Sequence, residues 1–178
     1  MVIVQHLDRA LPDQYAAAPR VRLGSSVEQG MATELADADE YGVRVYDTEH
    51  GRRLVAAVEL DRPECRAQFV AKCAALLRQG VAVVLVDVVT TRESNLYAEL
   101  LEWISERDPA LGDDPPAVYA VACRWRPRGT SRWLEAWNRP LAVGEPLPVL
   151  PLWLSDELAV PLDLEASYEQ TCRDLRIA

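Results

Sequence analysis

Apolar positions along the chain recur with two periods, and the switches between them mark out the elements. Ile3 to Leu11 carries apolar residues at helical spacing and stops before Pro12, which predicts a short amphipathic helix. Arg20 to Val27 alternates in part and reads as a first strand, and Met31 to Glu40 is an acidic, alanine-rich connection. Tyr41, Val43 and Val45 then alternate with Arg44 and Tyr46, Asp47 to Gly51 supplies turn residues, and Arg53 to Leu60 returns as an apolar run. That pattern predicts a β-hairpin. Past Pro63, helix formers run to Gln79, with Phe69, Val70, Cys73, Leu76 and Leu77 as the apolar positions and Gly80 as the stop. Val81 to Val89 is almost wholly apolar and β-branched, as expected of a strand covered on both faces. Strand, helix, strand in this order is a βαβ unit with parallel strands.

Leu96 to Arg107 reads as a helix, Asp108 to Pro116 as a loop, and Val118 to Trp125 with Trp133 to Asn138 as a second hairpin. The proline-rich run from Pro140 to Pro161 predicts an extended, irregular segment lying on the surface, and Leu164 to Arg176 a last helix. The expected fold class is α/β: an αβββαβ mixed-sheet core over about residues 1–107, then a C-terminal hairpin, proline-rich segment and terminal helix over about 108–178, all in one domain. At 178 residues, 49% of them hydrophobic, the chain can bury a core without disulfides or metals.

Composition changes this picture in three places. The longest apolar runs are far short of the roughly 20 residues that span a bilayer, and Met1 to Leu11 lacks the basic lead and apolar core of a signal peptide. A cytoplasmic protein with no membrane contact is therefore expected. Cys65, Cys73, Cys123 and Cys172 are scattered and have only His6 and His50 for company, which argues for reduced thiols and against a structural zinc site. The net charge of −9 disfavours non-specific nucleic-acid binding. One segment runs against that charge: Arg124, Arg126, Arg128, Arg132 and Arg139 interleave with Trp125, Trp133 and Trp137. It reads either as a stacking, phosphate-touching surface, with Arg124, Arg126, Trp125 and Trp133 as its binding residues, or as a twisted hairpin whose arginines lie over tryptophan faces.

The candidate chemistry gathers at one sheet edge. Glu59 lies near the carboxyl end of an otherwise apolar strand and Asp87 near the carboxyl end of the parallel strand, the end at which open α/β sheets place ligands. Pairing the first hairpin symmetrically about its turn sets Tyr41 opposite Glu59 and Asp39 opposite Asp61, on one face. Asp39 or Glu40 would then join Glu59 and Asp61, a carboxylate cluster that a hard ion such as Mg²⁺ offsets. Lys72, the only lysine in the chain, flanks the apolar stripe of the next helix and would reach the same edge. The plainer alternative is a half-buried ion pair between Glu59 and Lys72, with Asp61 and Glu64 favouring the helix N-terminus.

The segments RLVAAVEL, FVAKCAALLRQGVAVVLVDVVTTRESNLYAELL, PPAVYAVACRW, LEAW and LPLWLSDELAVPLDLEASYEQTCRDLRI resemble a bacterial family of unknown function, the DUF-4058 proteins. These are similar in turn to Uma-type proteins and to the PD-(D/E)XK nuclease-like superfamily, whose core is αβββαβ. The resemblance covers most of the chain from about Tyr41 onward. It implies metal ligands on the second and third strands and an assisting lysine. By position Glu59 matches the third-strand acid and Lys72 a helix-borne lysine; relatives tend to have Glu where this chain has Gly42, leaving Asp39, Glu40 or Asp47 as second-strand acids. A Ser-Pro-x-Asn-Lys stretch that follows the Glu in relatives is missing here, and Asp61 stands where the E-x-K lysine is expected. The implied function is a nuclease-like domain that is non-catalytic or weakly active. One alternative is a Mg²⁺-dependent phosphodiesterase with Glu59, Asp61, Asp39 and Asp87 as metal ligands and Glu59, Asp61 and Lys72 as its catalytic set. Another is an interaction module, open to oligomerisation, presenting Trp125, Trp133, Trp137 and Trp153. No G-x-S-x-G, Walker or G-x-G-x-x-G motif is present.

Overall fold

A computed structural model describes residues 2–22, 40–60, 66–89 and 95–177, so Asp39, Asp61, Glu64 and Cys65 lie outside the described residues. The chain is mixed α/β. Helix α1 (Val2–Ala10) precedes β1 (Tyr15–Arg22) and the hairpin β2 (Glu40–Asp47) and β3 (Arg53–Leu60); α2 (Arg66–Arg78) leads to β4 (Ala82–Asp87) and α3 (Leu96–Ile104). A 3₁₀ turn over Pro109–Leu111 precedes the long hairpin β5 (Tyr119–Arg128) and β6 (Ser131–Pro140). The chain closes with β7 (Val149–Trp153), β8 (Ala159–Asp163) and α4 (Leu164–Leu175). Helix, three strands, helix and strand follow one another in the expected order.

Among the described residues six strands form one sheet in the order β1-β2-β3-β4-β5-β6, and β7 and β8 form a separate two-stranded sheet. β3 and β4 are parallel, as a βαβ unit requires, and the other neighbours in the large sheet are antiparallel. Residue alternation sends the strands' side chains to two cores. One face carries Val43, Val45, Ala56, Val58, Val84 and Ala122 and is covered by Leu7 of α1, the leucines of β7–β8 and Leu164 of α4. The other carries Ala57, Val83, Leu85 and Val121 and is covered by Val70, Cys73, Ala74 and Leu77 of α2 and Leu96, Tyr97, Leu100 and Leu101 of α3. The α2 set sits at i, i+3, i+4 and i+7, one helix face, and Gly80 (φ 78°) turns the chain out of α2 in the left-handed region that favours glycine.

Two expectations are corrected. The first strand starts at Tyr15 rather than Arg20, because Ala16 to Ala18 carries little strand propensity and Pro19 reads as a breaker. At a sheet edge both are tolerated, and Pro19 sits opposite Val43. The segment from Pro140 to Pro161 is not an irregular surface stretch. Leu150 and Leu152 of β7 and Val160 and Leu162 of β8 are buried in the first core, while Pro151 and Pro161 pair across the hairpin on its outer side. No described helix is long and apolar enough to cross a membrane.

Candidate functional site

The first hairpin carries the site, and its register decides what faces Glu59. Asp47 pairs with Arg53 and Tyr46 with Leu54, as symmetry about the turn predicts. Between Val45 and Tyr46 the register then shifts by one, so Val45 pairs with Ala56, Gly42 with Glu59 and Tyr41 with Leu60. A one-residue slip moves every partner to the other face. Tyr41 is therefore not opposite Glu59, and the expected face shared by Tyr41 and Glu59 does not form. What the bulge brings beside Glu59 is Gly42 and, one step diagonally, Arg44.

Glu59 is 1% exposed and Arg44 3% exposed. Arg44 Nη2 donates to Glu59 Oε1 at 2.6 Å, and Lys72 Nζ from α2 lies 3.0 Å from Glu59 Oε2. Arg44 Nη1 also donates to its neighbour's carbonyl, Val43 O, at 3.3 Å. The lysine spans the border of the site: its side chain is 20% exposed, and its ammonium lies over the Phe69 ring, 5.0 Å from the centroid. Gly42 is a close-approach glycine. A Cβ there would stand 2.7 Å from Val58 O, 3.3 Å from Glu59 Oε2 and 3.4 Å from Arg44 Nη1. The position at which the resemblance expects an acid is thus filled by the neighbouring strand and by the ion pair.

Asp87 ends β4 two residues past Leu85, the partner of Glu59, and so lies on the same sheet face as Glu59. It is 1% exposed, and its Oδ1 accepts the Val89 backbone N–H at 3.1 Å. The sequence expectation set Glu59, Asp87 and Lys72 at one sheet edge; in the structure Lys72 reaches Glu59, and Asp87 lies on the same sheet face. Cys73, next to Lys72, is a buried thiol whose pKa is pushed well up by burial and then by the Glu59 charge; burial likewise raises Cys123 to about 12. Both are protonated core groups. Asp47, another candidate second-strand acid, lies at the turn end of β2. Burial raises its pKa, but hydrogen bonds from the His50 ring and backbone outweigh this and hold it below the ordinary value.

Arg44 is the residue that sequence reasoning missed. It appeared only as the polar partner in an alternating strand, yet β2 is covered on both faces, and a cation in such a strand needs a buried counter-charge. Had the hairpin been read with a bulge, Glu59 would have been its nearest candidate.

The described residues do not fit a divalent cation. Both oxygens of Glu59 are engaged by cationic groups, and an added Mg²⁺ would share that carboxylate with Arg44 and Lys72 at close range. Among the described residues no three His, Cys, Asp or Glu side chains are grouped to hold a metal ion.

The basic hairpin divides in two. Arg124 is buried: Nε and Nη2 bind Glu135 Oε2 at 2.9 and 2.8 Å, Nη1 donates to Ser155 O and Asp156 O, and the guanidinium lies over Trp153. It ties the long hairpin to the β7–β8 turn and is not a surface binding residue. Trp125 is partly buried against the second core. Trp137 and Trp153 pack against each other beside the first, centroids 5.5 Å apart and planes tilted by 35°, so no continuous surface of four tryptophans forms. Arg126 and Trp133 remain exposed, and Arg128 lies over the Trp133 ring at 4.8 Å.

Comparison of the chain with protein-family models, with curated proteins and with solved structures finds no match in any of the three.

Proposed function

We propose that this chain is a PD-(D/E)XK nuclease-like domain that no longer hydrolyses phosphodiesters and serves as a non-catalytic module. The observation that carries the reading is the engagement of Glu59. The acid at the metal-binding position of the resemblance has one oxygen on Arg44 and the other on Lys72. A carboxylate held by two cations is a poor metal ligand, and a lysine spent on that carboxylate is not available to a developing phosphorane. Gly42 in place of an acid and the missing stretch after Leu60 support the same reading.

The test is calorimetric titration of Mg²⁺ and Mn²⁺ into the wild type, Glu59→Ala and Glu59→Gln, with supercoiled-plasmid cleavage on the same samples. The expected result is no saturable binding at millimolar metal and no cleavage. Saturable binding and metal-dependent cleavage, both lost in Glu59→Gln, would establish the Mg²⁺-dependent phosphodiesterase instead. That second reading is favoured by one feature, the buried Asp87 on the same sheet face as Glu59.

A further inference from the structure

Charge is segregated within the β5–β6 hairpin. Between Tyr119 and Pro140 there are five arginines and one acid, Glu135, a local surplus of four positive charges in a chain of net −9. β4 pairs with β5 only as far as Cys123, whereas β5 and β6 stay paired out to Arg128 and Ser131. The distal half is therefore a two-stranded ribbon extending past β4, and residues 126–133 are all exposed.

Register sorts the side chains of this ribbon. Arg126 pairs with Trp133 and Arg128 with Ser131, so Arg126, Arg128 and Trp133 share one face and Arg132 falls on the other. Glu135 is committed mainly to the buried Arg124 and reaches Arg126 through its second oxygen at 3.3 Å. Trp133 is 55% exposed although Arg128 lies over its ring. A depression of about 480 Å³ opens here, lined by Arg126, Pro127, Arg128, Trp133, Leu134 and Glu135. An exposed indole flanked by two guanidinium groups combines a stacking platform with phosphate-binding cations.

We infer that the distal β5–β6 ribbon is a binding site for single-stranded nucleic acid, with a base stacked on Trp133 and the backbone phosphates on Arg126 and Arg128. An acidic peptide meets the charge but leaves the indole's flat face unused, which is why the nucleic acid is favoured. The −9 net charge makes such binding local and salt-sensitive. The site stands apart from Glu59 and needs no metal, so its fate is independent of the nuclease-like reading.

The experiment is fluorescence anisotropy of a labelled oligothymidylate on the full chain, in EDTA and at low salt. Saturable binding is expected, with log K falling against log salt at a slope of about −1.4 for two neutralised phosphates. Arg126→Ala with Arg128→Ala should weaken it at least about tenfold and flatten the slope, the double lysine variant should keep the slope, and Trp133→Ala should weaken binding about five- to hundredfold. Melting curves on each variant establish that it is folded. Absence of binding, or binding indifferent to all of these substitutions, overturns the inference. Displacement by polyglutamate together with indifference to Trp133→Ala overturns it in favour of an acidic protein partner.

Discussion

A carboxylate withdrawn from water stays ionised only where other charges and donors replace its hydration, and Glu59 has Arg44 on one oxygen and Lys72 on the other. Removing one member of a buried pair leaves the other unpaired, so Glu59→Ala is expected to cost about 3–5 kcal/mol, read from urea unfolding midpoints, because it strands the Arg44 guanidinium. Lys72→Met should cost only about 1 kcal/mol, since the ammonium is partly solvated and Arg44 still holds the acid. Equal costs for the two substitutions would show that Arg44 is not the dominant partner. Acid sensitivity is expected at Glu135. Burial raises the Glu135 pKa, and hydrogen bonds from Arg124 and Arg126 outweigh it, leaving the folded value below the ordinary 4.5. Its contribution to stability is therefore present above pH 4.5 and lost as pH falls through the folded pKa. Glu135→Gln should lower stability at neutral pH and flatten that acid limb in a pH series of thermal melts; an unchanged limb would assign it to other carboxylates.

At the scale of elements, the apolar pattern located β2 and α2 by their period and β3 and β4 by near-continuous apolar runs, since β3 and β4 are buried on both faces. It failed where composition obscured the pattern. Val149–Trp153 and Ala159–Asp163 alternate buried and outward positions, but prolines at alternate sites made them read as irregular. In a two-stranded sheet each strand is an edge, so the missing donors are tolerated. Leu162→Ala should accordingly cost about 2–5 kcal/mol, the price of a core cavity, whereas a surface segment would lose next to nothing. The candidate site was half legible for a similar reason. Glu59, Lys72 and Asp87 share a face by strand and helix period, but the partner across the hairpin depended on the bulge at Val45/Tyr46, which no residue type there announces. Gly42 is the element-level consequence. A methyl group at that position meets Val58 O, so Gly42→Ala should destabilise by about 1–3 kcal/mol, and an acidic substitution there should not create a metal site. Calorimetric metal titration of Gly42→Glu, if the variant folds, checks the second clause; saturable binding would mean the strand gap can open.

For the whole molecule, the two cores lie on opposite faces of a single sheet; the first draws on both ends of the chain, from Leu7 to Leu164, while the second is built from Ala57 to Cys123. β4 is buried along its whole length, flanked by β3 and β5, with α2 and α3 over one face and the β7–β8 leucines over the other. A fragment stopping at residue 107 would keep α2 and α3 but lose β5 beside β4 and the entire β7–β8 and α4 cover. The edge of β4 and the apolar face of β2 to β4 would then meet water, a combination that leads to strand-edge association rather than folding. The αβββαβ segment is thus expected to be insoluble or unfolded alone, and the full chain to melt in one transition. Tryptophan offers a sharp check, because four of the five, Trp125, Trp133, Trp137 and Trp153, lie beyond residue 107. Near-ultraviolet circular dichroism and tryptophan emission report chiefly on the C-terminal part, while far-ultraviolet signal reports on every helix and strand. Coincident midpoints for these probes mean that the two cores unfold together. A tryptophan transition well below the far-ultraviolet one would show instead that residues 1–107 hold their structure unaided, and that the C-terminal hairpins and helix are an addition to a self-sufficient core.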